Sequence, residues 1–276
     1  MTIGFVTDST AYLPAELIAQ FEIEIIPVHV VVDSVSYNDL GEISTSEVCK
    51  QLLAGRSVTT SRPSVQEFIS VYQNMQAKGH KEIISVHVSS KLSGTYESAL
   101  LAARQVTIPV RVVDSSAIAM MMGFPLLSAI ALANEGVDID DVEDYLRLRL
   151  EQSSLILAVE STKYLEQGGR VSPLQNRVAS KFNIKPLLEV RNGQIGLREI
   201  VRSTRNANFK LISIAQSSSA MAENIAVHHV DAPERGHFIA EQLRLRLGRP
   251  EIPLVPIGPV VGAHVGPGAV AIAMMF

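Results

Sequence analysis

Cysteine and tryptophan are nearly absent from this sequence. Its 276 residues include one cysteine, Cys49, and no tryptophan. A single thiol cannot form an internal disulfide, which excludes a disulfide-stapled scaffold and favours a reducing compartment. The first residues also lack the basic stretch and apolar segment that mark a signal peptide. We therefore expect a cytoplasmic protein.

An excess of positive charge is missing as well. The chain has 24 Lys and Arg residues against 28 Asp and Glu residues, a formal net charge of −4. Binding to nucleic acid depends on a basic surface that neutralises phosphates. We therefore expect no nucleic-acid partner.

No apolar run is long enough for a membrane-spanning helix. The longest, residues 117–133, contains no charged residue, but it is shorter than the ~20 residues that such a helix needs. The run predicts a buried helix. We expect no integral membrane segment, while transient contact with a membrane surface stays open.

The residues that are present suit a large folded core. Apolar residues make up 47% of the chain and charged residues 19%, and at ~150 residues per domain the length suggests two domains. Residues 1–152 alternate β-branched runs with helical segments, which predicts an α/β domain with a mostly parallel sheet. Residues 153–276 carry Asn192-Gly193 between two extended runs, which is typical of a hairpin. We predict an α+β domain there, with a mixed or antiparallel sheet.

Hydroxyl-bearing residues collect just after predicted strands. The carboxyl ends of parallel strands share one edge of a sheet, where ligands bind, and loops that open helices add free N–H groups that suit an anion. Serine and threonine at such positions can equally be simple helix caps. The clusters are Thr7-Asp8-Ser9-Thr10, residues 59–64, residues 89–95 and Asp114-Ser115-Ser116. Their number favours an anion site at one edge of the sheet.

Common catalytic motifs are absent. The loop around Ser93 lacks the glycine spacing of a phosphate-binding P-loop, and no serine lies in a Gly-x-Ser-x-Gly frame. The histidines show no His-Glu-x-x-His spacing, so we expect neither a metal nor a cofactor. Two enzyme classes remain as alternatives to a binding protein. These are a Ser/His acyl hydrolase and a small-molecule phosphotransferase that uses the Ser93 loop.

One histidine lies in an unusual setting. His264 belongs to the glycine-rich segment 258–268, which we expect to be a bend between two apolar strands. Glycines allow the close approach of another backbone or of a ligand. The imidazole is therefore either a donor to an anion or a structural side chain.

Several short motifs, taken together, resemble the signature blocks of the DegV family, and they occur in order along nearly the whole chain. The blocks are Thr7-Asp8-Ser9, Thr60-Ser61-x-Pro63-Ser64, Ser89-Ser90-x-Leu92-Ser93-Gly94-Thr95-Tyr96, Asp114-Ser115, Tyr164-Leu165-x-x-Gly168-Gly169-Arg170, Lys185-Pro186 and His264-Val265-Gly266-Pro267-Gly268. The resemblance implies a bacterial protein of two α/β domains that holds one long-chain fatty acid between them. It also implies a carrier without catalysis of its own, which presents the carboxylate to a fatty acid kinase for acyl-phosphate formation.

The resemblance also implies roles for individual residues. Thr60, Ser93 and His264 match positions that hydrogen-bond the carboxylate, with Ser61 and the Gly94 backbone nearby. Arg170 matches a surface arginine that contacts the kinase, and Arg202 is expected on the same face. Arg62 stands where the family pattern has glutamine, so its role stays open.

A bound acyl chain would need an apolar tunnel. Met120, Met121 and Phe124, in the long apolar run, are candidates for its lining, because methionine adapts to varied shapes. The alternative is that these side chains are ordinary core.

Overall fold

The structure, a computed structural model, describes residues 3–170 and 184–276. Thirteen strands and ten helices occur in this described part of the chain. The strands are β1 (Ile3–Asp8), β2 (Glu24–Ile26), β3 (His29–Val32), β4 (Val35–Asn38), β5 (Val58–Ser61), β6 (Glu82–His87), β7 (Val110–Asp114), β8 (Ser153–Ala158), β9 (Lys185–Arg191), β10 (Gln194–Val201), β11 (Asn224–His229), β12 (Leu254–Pro256) and β13 (Val270–Met275). The helices are α1 (Ala15–Gln20), α2 (Thr45–Leu53), α3 (Val65–Ala77), α4 (Thr95–Ala103), α5 (Met120–Asn134), α6 (Ile139–Glu151), α7 (Lys163–Gln167), α8 (Thr204–Ser218), α9 (Pro233–Leu247) and α10 (Pro259–Val265).

The first half of the chain builds a four-stranded sheet in which each strand is parallel to its neighbours. The strand order is β2-β1-β6-β7. All six residues of β1 are buried, because α3 and α4 pack on one face of the sheet and α5 packs on the other. Burial on both faces explains the continuous apolar run of this strand. The α/β architecture predicted for residues 1–152 is confirmed.

A second, smaller sheet in this half is a feature that the sequence pattern did not predict. Strands β4, β3 and β5 pair antiparallel in that order. The apolar run of residues 23–32 is therefore two strands in different sheets, separated at Pro27, which has no N–H group for a ladder. Thr60 lies within β5. Our expectation that its cluster follows a strand of the parallel sheet was wrong.

The second half of the chain forms a six-stranded mixed sheet with the order β10-β9-β8-β13-β11-β12. Its neighbouring strands are antiparallel except β11 and β12. Asn192 and Gly193 connect β9 to β10 with φ angles of 50° and 76°, the left-handed backbone that a two-residue hairpin turn requires. The predicted hairpin and the mixed sheet are both confirmed.

The long apolar run forms the buried helix α5, as predicted. The ring of His228, fully buried in β11, accepts the N–H of Met120 at the start of this helix (3.4 Å) and contacts the carbonyl oxygen of Val255 through Nδ1 (3.1 Å). Burial lowers the pKa of His228 to about 4, so the ring is neutral and can accept. Among the described residues, no helix has the length and apolarity to cross a membrane.

One hydrophobic cluster joins the two halves. It combines Phe5 and Ile84 of the parallel sheet, the start of α5, and Leu157 and Ala271 from the inner face of the mixed sheet. We propose the division into domains at residues 152 and 153, which falls between α6 and β8. The contact between the halves is apolar at its centre, and the candidate site lies along it.

Candidate functional site

A small cavity between the two halves gathers polar side chains that are distant in sequence. Its volume is about 50 Å³. The polar lining residues are Thr10, Thr60, Ser93, Arg170 and His264, and the apolar ones are Val28, Val88, Leu92, Ile118, Ile195, Val260, Val261 and Val265. We call it the polar cavity. The three residues expected to bind a carboxylate, Thr60, Ser93 and His264, are therefore brought together.

A second cavity, of about 30 Å³, continues from the first and is lined by apolar residues alone. Ile118, Ile195, Val261 and Val265 line both. The remaining lining residues of this apolar cavity are Ala119, Leu155, Leu157, Val190, Ile257, Ala269, Val270 and Ala271. The two cavities therefore adjoin, and polar side chains line the first of them while apolar side chains line the second.

His264 and Thr60 form the central polar contact of the site. Nε2 of the imidazole lies 2.8 Å from Oγ1 of Thr60, a bond between α10 of the second half and β5 of the first. Burial, and then the charge of Arg170, lower the pKa of His264 to about 4. The ring is therefore neutral at pH 7. With its proton on Nε2, it donates to Thr60 and leaves the threonine hydroxyl proton for an anion.

Glycines hold the imidazole in place by close packing of α7 against α10. A Cβ atom on Gly168 would lie 2.3 Å from Nδ1 of His264, and one on Gly266 would lie 2.2 Å from the Tyr164 ring. Gly266 also has a φ of 78°, which favours glycine. His264 lies on the short helix α10, not in a bend as we expected. The glycines allow two helices to meet rather than a chain to turn.

Ser93 lies in the loop that leads into α4. Its hydroxyl is 2.8 Å from the Thr95 hydroxyl, and the Thr95 N–H points towards it at 3.4 Å. Gly94 is the residue before the first turn of α4, where backbone N–H groups have no partner within the helix. The hydroxyl thus lies beside free backbone donors, an arrangement that suits an anion.

Arg62 and Ser61 do not line the polar cavity. Arg62 is exposed, donates to the Gly94 carbonyl oxygen (3.3 Å) and packs so closely that a Cβ atom on Gly94 would be 2.6 Å from Nη1. Ser61 is exposed, because it follows Thr60 on a strand and successive side chains face opposite sides. The structure therefore does not bring Ser61 into the site expected for it.

Arg170 lines the polar cavity, although the sequence placed it on the surface. Its Nε donates to the carbonyl oxygen of Leu92 (3.2 Å), and Nη1 donates to that of Gly168. It is the one formally charged side chain among the described residues around this cavity. Arg202 is exposed in the turn between β10 and α8 and does not line the cavity. The two arginines expected on one face thus have different surroundings.

The predicted tunnel lining is also placed elsewhere. Met120 and Phe124 are buried in the core, and Met121 lines a separate polar cleft of about 780 Å³. The apolar cavity is bounded by Ile118 and Ala119, just before α5, and by the inner face of the mixed sheet. Leu155 and Leu157 of β8 face the cavity, while Ile156 between them packs on the other side of the sheet, so the apolar run did not single out one face. Nothing in the sequence indicated that the cavity lies against the inner face.

Most of the remaining hydroxyl clusters stabilise loops. Asp8 accepts from the N–H groups of Thr10 (3.1 Å) and Val88 (2.9 Å), and Asp114 accepts from those of Ser90 (3.1 Å) and Ser116 (2.9 Å). Of these, Thr10 also lines the polar cavity, a placement that nothing in the sequence predicted. The capping alternative therefore holds for most of these positions.

The described residues do not form an accessible Ser–His pair. Ser93 bonds Thr95, and His264 bonds Thr60. Ser85, His87 and Asp8 are hydrogen-bonded in series, at 2.7 and 3.1 Å. All three side chains are fully buried, and the Ser85 hydroxyl is also bonded to the Tyr72 hydroxyl at 2.8 Å. No substrate reaches that serine. No group of metal-ligating side chains is found among the described residues.

Comparisons with known proteins agree with this geometry. A family model described as an uncharacterised DegV family matches residues 2–276. A DegV domain-containing protein of Streptomyces coelicolor is 37% identical and covers 99% of this chain and 98% of its own length. The structure of a DegV family protein from Thermus thermophilus, described by its fatty acid binding, superposes with a TM-score of 0.89 at 26% identity and covers 100% and 99% of the two chains. DegV of Bacillus subtilis, described as a fatty acid binding protein, gives 0.89 at 29% identity, with the same coverage.

Proposed function

This chain belongs to the DegV family, and from that membership and its cavities we propose that it binds one long-chain fatty acid between its two halves. The observation that carries the proposal is the meeting of Thr60, Ser93 and His264 at the polar end of an otherwise apolar site. Related structures described as fatty-acid-binding support the same class of ligand.

The polar cavity suits a carboxylate. Removing an ionised carboxylate from water without partners is very costly. The hydroxyl groups of Thr60 and Ser93 and the backbone at Gly94 offer donors, and Arg170 supplies a positive charge. Hydrogen bonds to an ionised acceptor are among the strongest in proteins. A neutral His264 adds a polar contact without a second buried charge.

The apolar cavity suits an acyl chain. Burying roughly fifteen methylenes at about 0.8 kcal/mol each contributes on the order of 12 kcal/mol before the costs of ordering. Volumes of about 50 and 30 Å³ are far below the roughly 300 Å³ or more of typical ligand pockets. Binding of a long chain therefore requires the lining side chains to separate and join the two cavities.

We further propose that the bound carboxylate is presented to a fatty acid kinase and that this chain performs no catalytic step itself. Leaving the tail buried while the head group is handed over costs less than releasing the whole lipid into water. Arg202, exposed outside the polar cavity, would contact the kinase. Arg170, which lines the cavity and is also partly exposed, would contact both the head group and the kinase.

Lipid extraction tests the binding proposal. Protein purified from bacteria should release about one long-chain fatty acid per chain in mass spectrometry of an organic extract, and delipidated protein should take up oleate or palmitate. Ser93→Ala should weaken uptake by about 1–3 kcal/mol, since the carboxylate loses a donor. The methyl ester should lose less. Protein that holds no lipid and takes up neither acid would contradict the proposal.

A further inference from the structure

The β9–β10 hairpin reaches across to the half of the molecule that carries Ser93. At its tip, the Gly193 carbonyl oxygen accepts from the buried hydroxyl of Ser89 (2.7 Å), and the Asn192 carbonyl oxygen accepts from Nζ of Lys91 (2.8 Å). We call Asn192 and Gly193 the hairpin tip. It is thus bonded to the same loop that continues into Ser93.

The contact at the tip is also sterically close. A Cβ atom on Gly193 would lie 2.5 Å from the Ser89 hydroxyl and 3.4 Å from that of Ser116. Its φ of 76° also favours glycine. Ser89 in addition accepts the N–H of Lys91 (3.2 Å), so one side chain orders both the loop and its contact with the tip.

The hairpin separates two very different spaces. Ile195, two residues beyond the tip, lines both the polar and the apolar cavity, whereas Asn192 lines the polar cleft of about 780 Å³. Val190 lines the apolar cavity and that cleft. The hairpin is therefore the wall between the acyl site and a wide polar opening.

One strand of this wall, β10, is paired on one side only, while β9 pairs with both β8 and β10. Strands β8 and β13, which form the other sheet wall of the apolar cavity, each pair with a strand on both sides, whereas β10 is the edge strand of the sheet. Edge strands have backbone groups without ladder partners. Movement of the tip breaks two hydrogen bonds to the opposite half and leaves the central strands in place.

From these contacts we propose that the hairpin tip is a latch for the fatty acid site. While closed, it positions the loop that carries Ser93 and keeps Ile195 over the cavities. When it lifts from Ser89 and Lys91, the apolar cavity opens to the cleft and the acyl chain enters or leaves. This inference rests on the proposed function, because it concerns exchange at the same site.

Stopped-flow exchange tests the latch in the full-length chain. Protein loaded with cis-parinaric acid is mixed with excess oleate, and the loss of fluorescence gives the release rate. One hydrogen bond is equivalent to about a fivefold change in an equilibrium, so Ser89→Ala and Lys91→Met should each release the probe about fivefold faster. Ser90→Ala is the matched control. Its hydroxyl bonds Asp114 within the same half, so its release rate should equal that of the wild type.

A cross-link tests the same latch in the opposite direction. Lys91→Cys with Asn192→Cys, joined by a short disulfide-containing bismaleimide, should slow release at least tenfold, and reductant should restore it. Cys49 is buried and does not compete. If loaded protein exchanges at the wild-type rate when cross-linked, and Ser89→Ala is also unchanged, the latch is wrong while binding stands. If wild-type protein binds no probe, the proposed function fails instead.

Discussion

At the scale of single residues, the site depends on a histidine that its surroundings keep neutral. His264 lies between Thr60, Gly168 and Arg170, where burial and the nearby guanidinium both oppose its protonation. A charged imidazole would add a second positive charge beside Arg170. A neutral imidazole makes its hydrogen bond to Thr60 without adding a second buried charge. The proposed carboxylate ligand would then have Arg170 as its single cationic neighbour in the cavity lining described above.

This neutral state predicts a pH dependence of stability. The pKa of His264 falls from 6.5 to about 4 on folding, so between these values the unfolded chain binds more protons and acid destabilises the fold. From pH 7 to pH 5 the wild type should lose about 2 kcal/mol more unfolding free energy than His264→Gln, measured by urea titration. Equal losses in the two proteins would contradict the assigned burial.

The titration of Asp39 is the reason for comparing the wild type with His264→Gln instead of measuring the wild type alone. Burial raises its pKa from 3.8 to about 7, so the folded chain holds a proton that the unfolded chain releases. Its contribution to stability therefore decreases as the pH rises through this range, opposite to that of His264. The difference between wild type and His264→Gln cancels the effect of Asp39, which both proteins share.

At the scale of elements, the packing of α7 on α10 decides where the imidazole lies. The two short helices meet at Gly168 and Gly266, where any side chain would overlap His264 or Tyr164. Helices of five and seven residues have little stability of their own, so their mutual contact fixes them. This packing accounts for the glycines at positions 168 and 266 in the two sequence motifs.

Substitution of these glycines tests the helix contact. Gly266→Ala should destabilise the protein by about 1–3 kcal/mol, because it combines a positive φ with overpacking against the Tyr164 ring. Gly196→Ala is the matched control, since a Cβ atom there meets no atom within 4 Å and its φ is not positive. Thermal or urea unfolding measures both. A Gly266→Ala protein as stable as Gly196→Ala would show that the helices are not in contact.

Local patterns predicted elements better than they predicted their neighbours. The Asn192-Gly193 turn acts within a few residues and occurs as expected, and the capping box that Ser64 and Glu67 form is equally local. The position of Thr60 in a separate antiparallel sheet depends on pairing with β3 across the sequence. Likewise, Met120 belongs to the core and Leu157 to the cavity because of how the halves pack. Such long-range contacts leave no local signature.

At the scale of the whole molecule, both halves contribute to one site. Thr60 and Ser93 come from the first half, and His264 and Arg170 from the second. The proposed lipid binding and the proposed kinase contact involve different residues, because Arg202 lies outside the cavity that Thr60 lines. The proposed division of work therefore assigns different residues to each task.

Two variants should separate the tasks. Arg202→Glu should keep its lipid content and lower kinase-dependent acyl phosphate formation at least tenfold, since the charge at the contact is reversed. Thr60→Ala should weaken fatty acid binding by about 1–3 kcal/mol, and Thr59→Ala, exposed on the opposite side of the strand, should not. Lipid content by mass spectrometry and phosphorylation by radiolabel are the readouts. If Arg202→Glu lowered lipid content and phosphorylation to the same extent, the proposed assignment of separate residues to binding and to kinase contact would be contradicted.

The edge position of β10 has a consequence for solubility. An unpaired strand is a template on which a second molecule can add a strand and begin aggregation. Here the ladder is interrupted between Leu197 and Glu199, and ion pairs of Arg198 with Glu189 and of Lys210 with Glu199 place charge along the rim. A bulge and alternating charges of this kind oppose docking of another chain. The edge strand that moves in the proposed ligand exchange is therefore protected against pairing with a second molecule and starting aggregation.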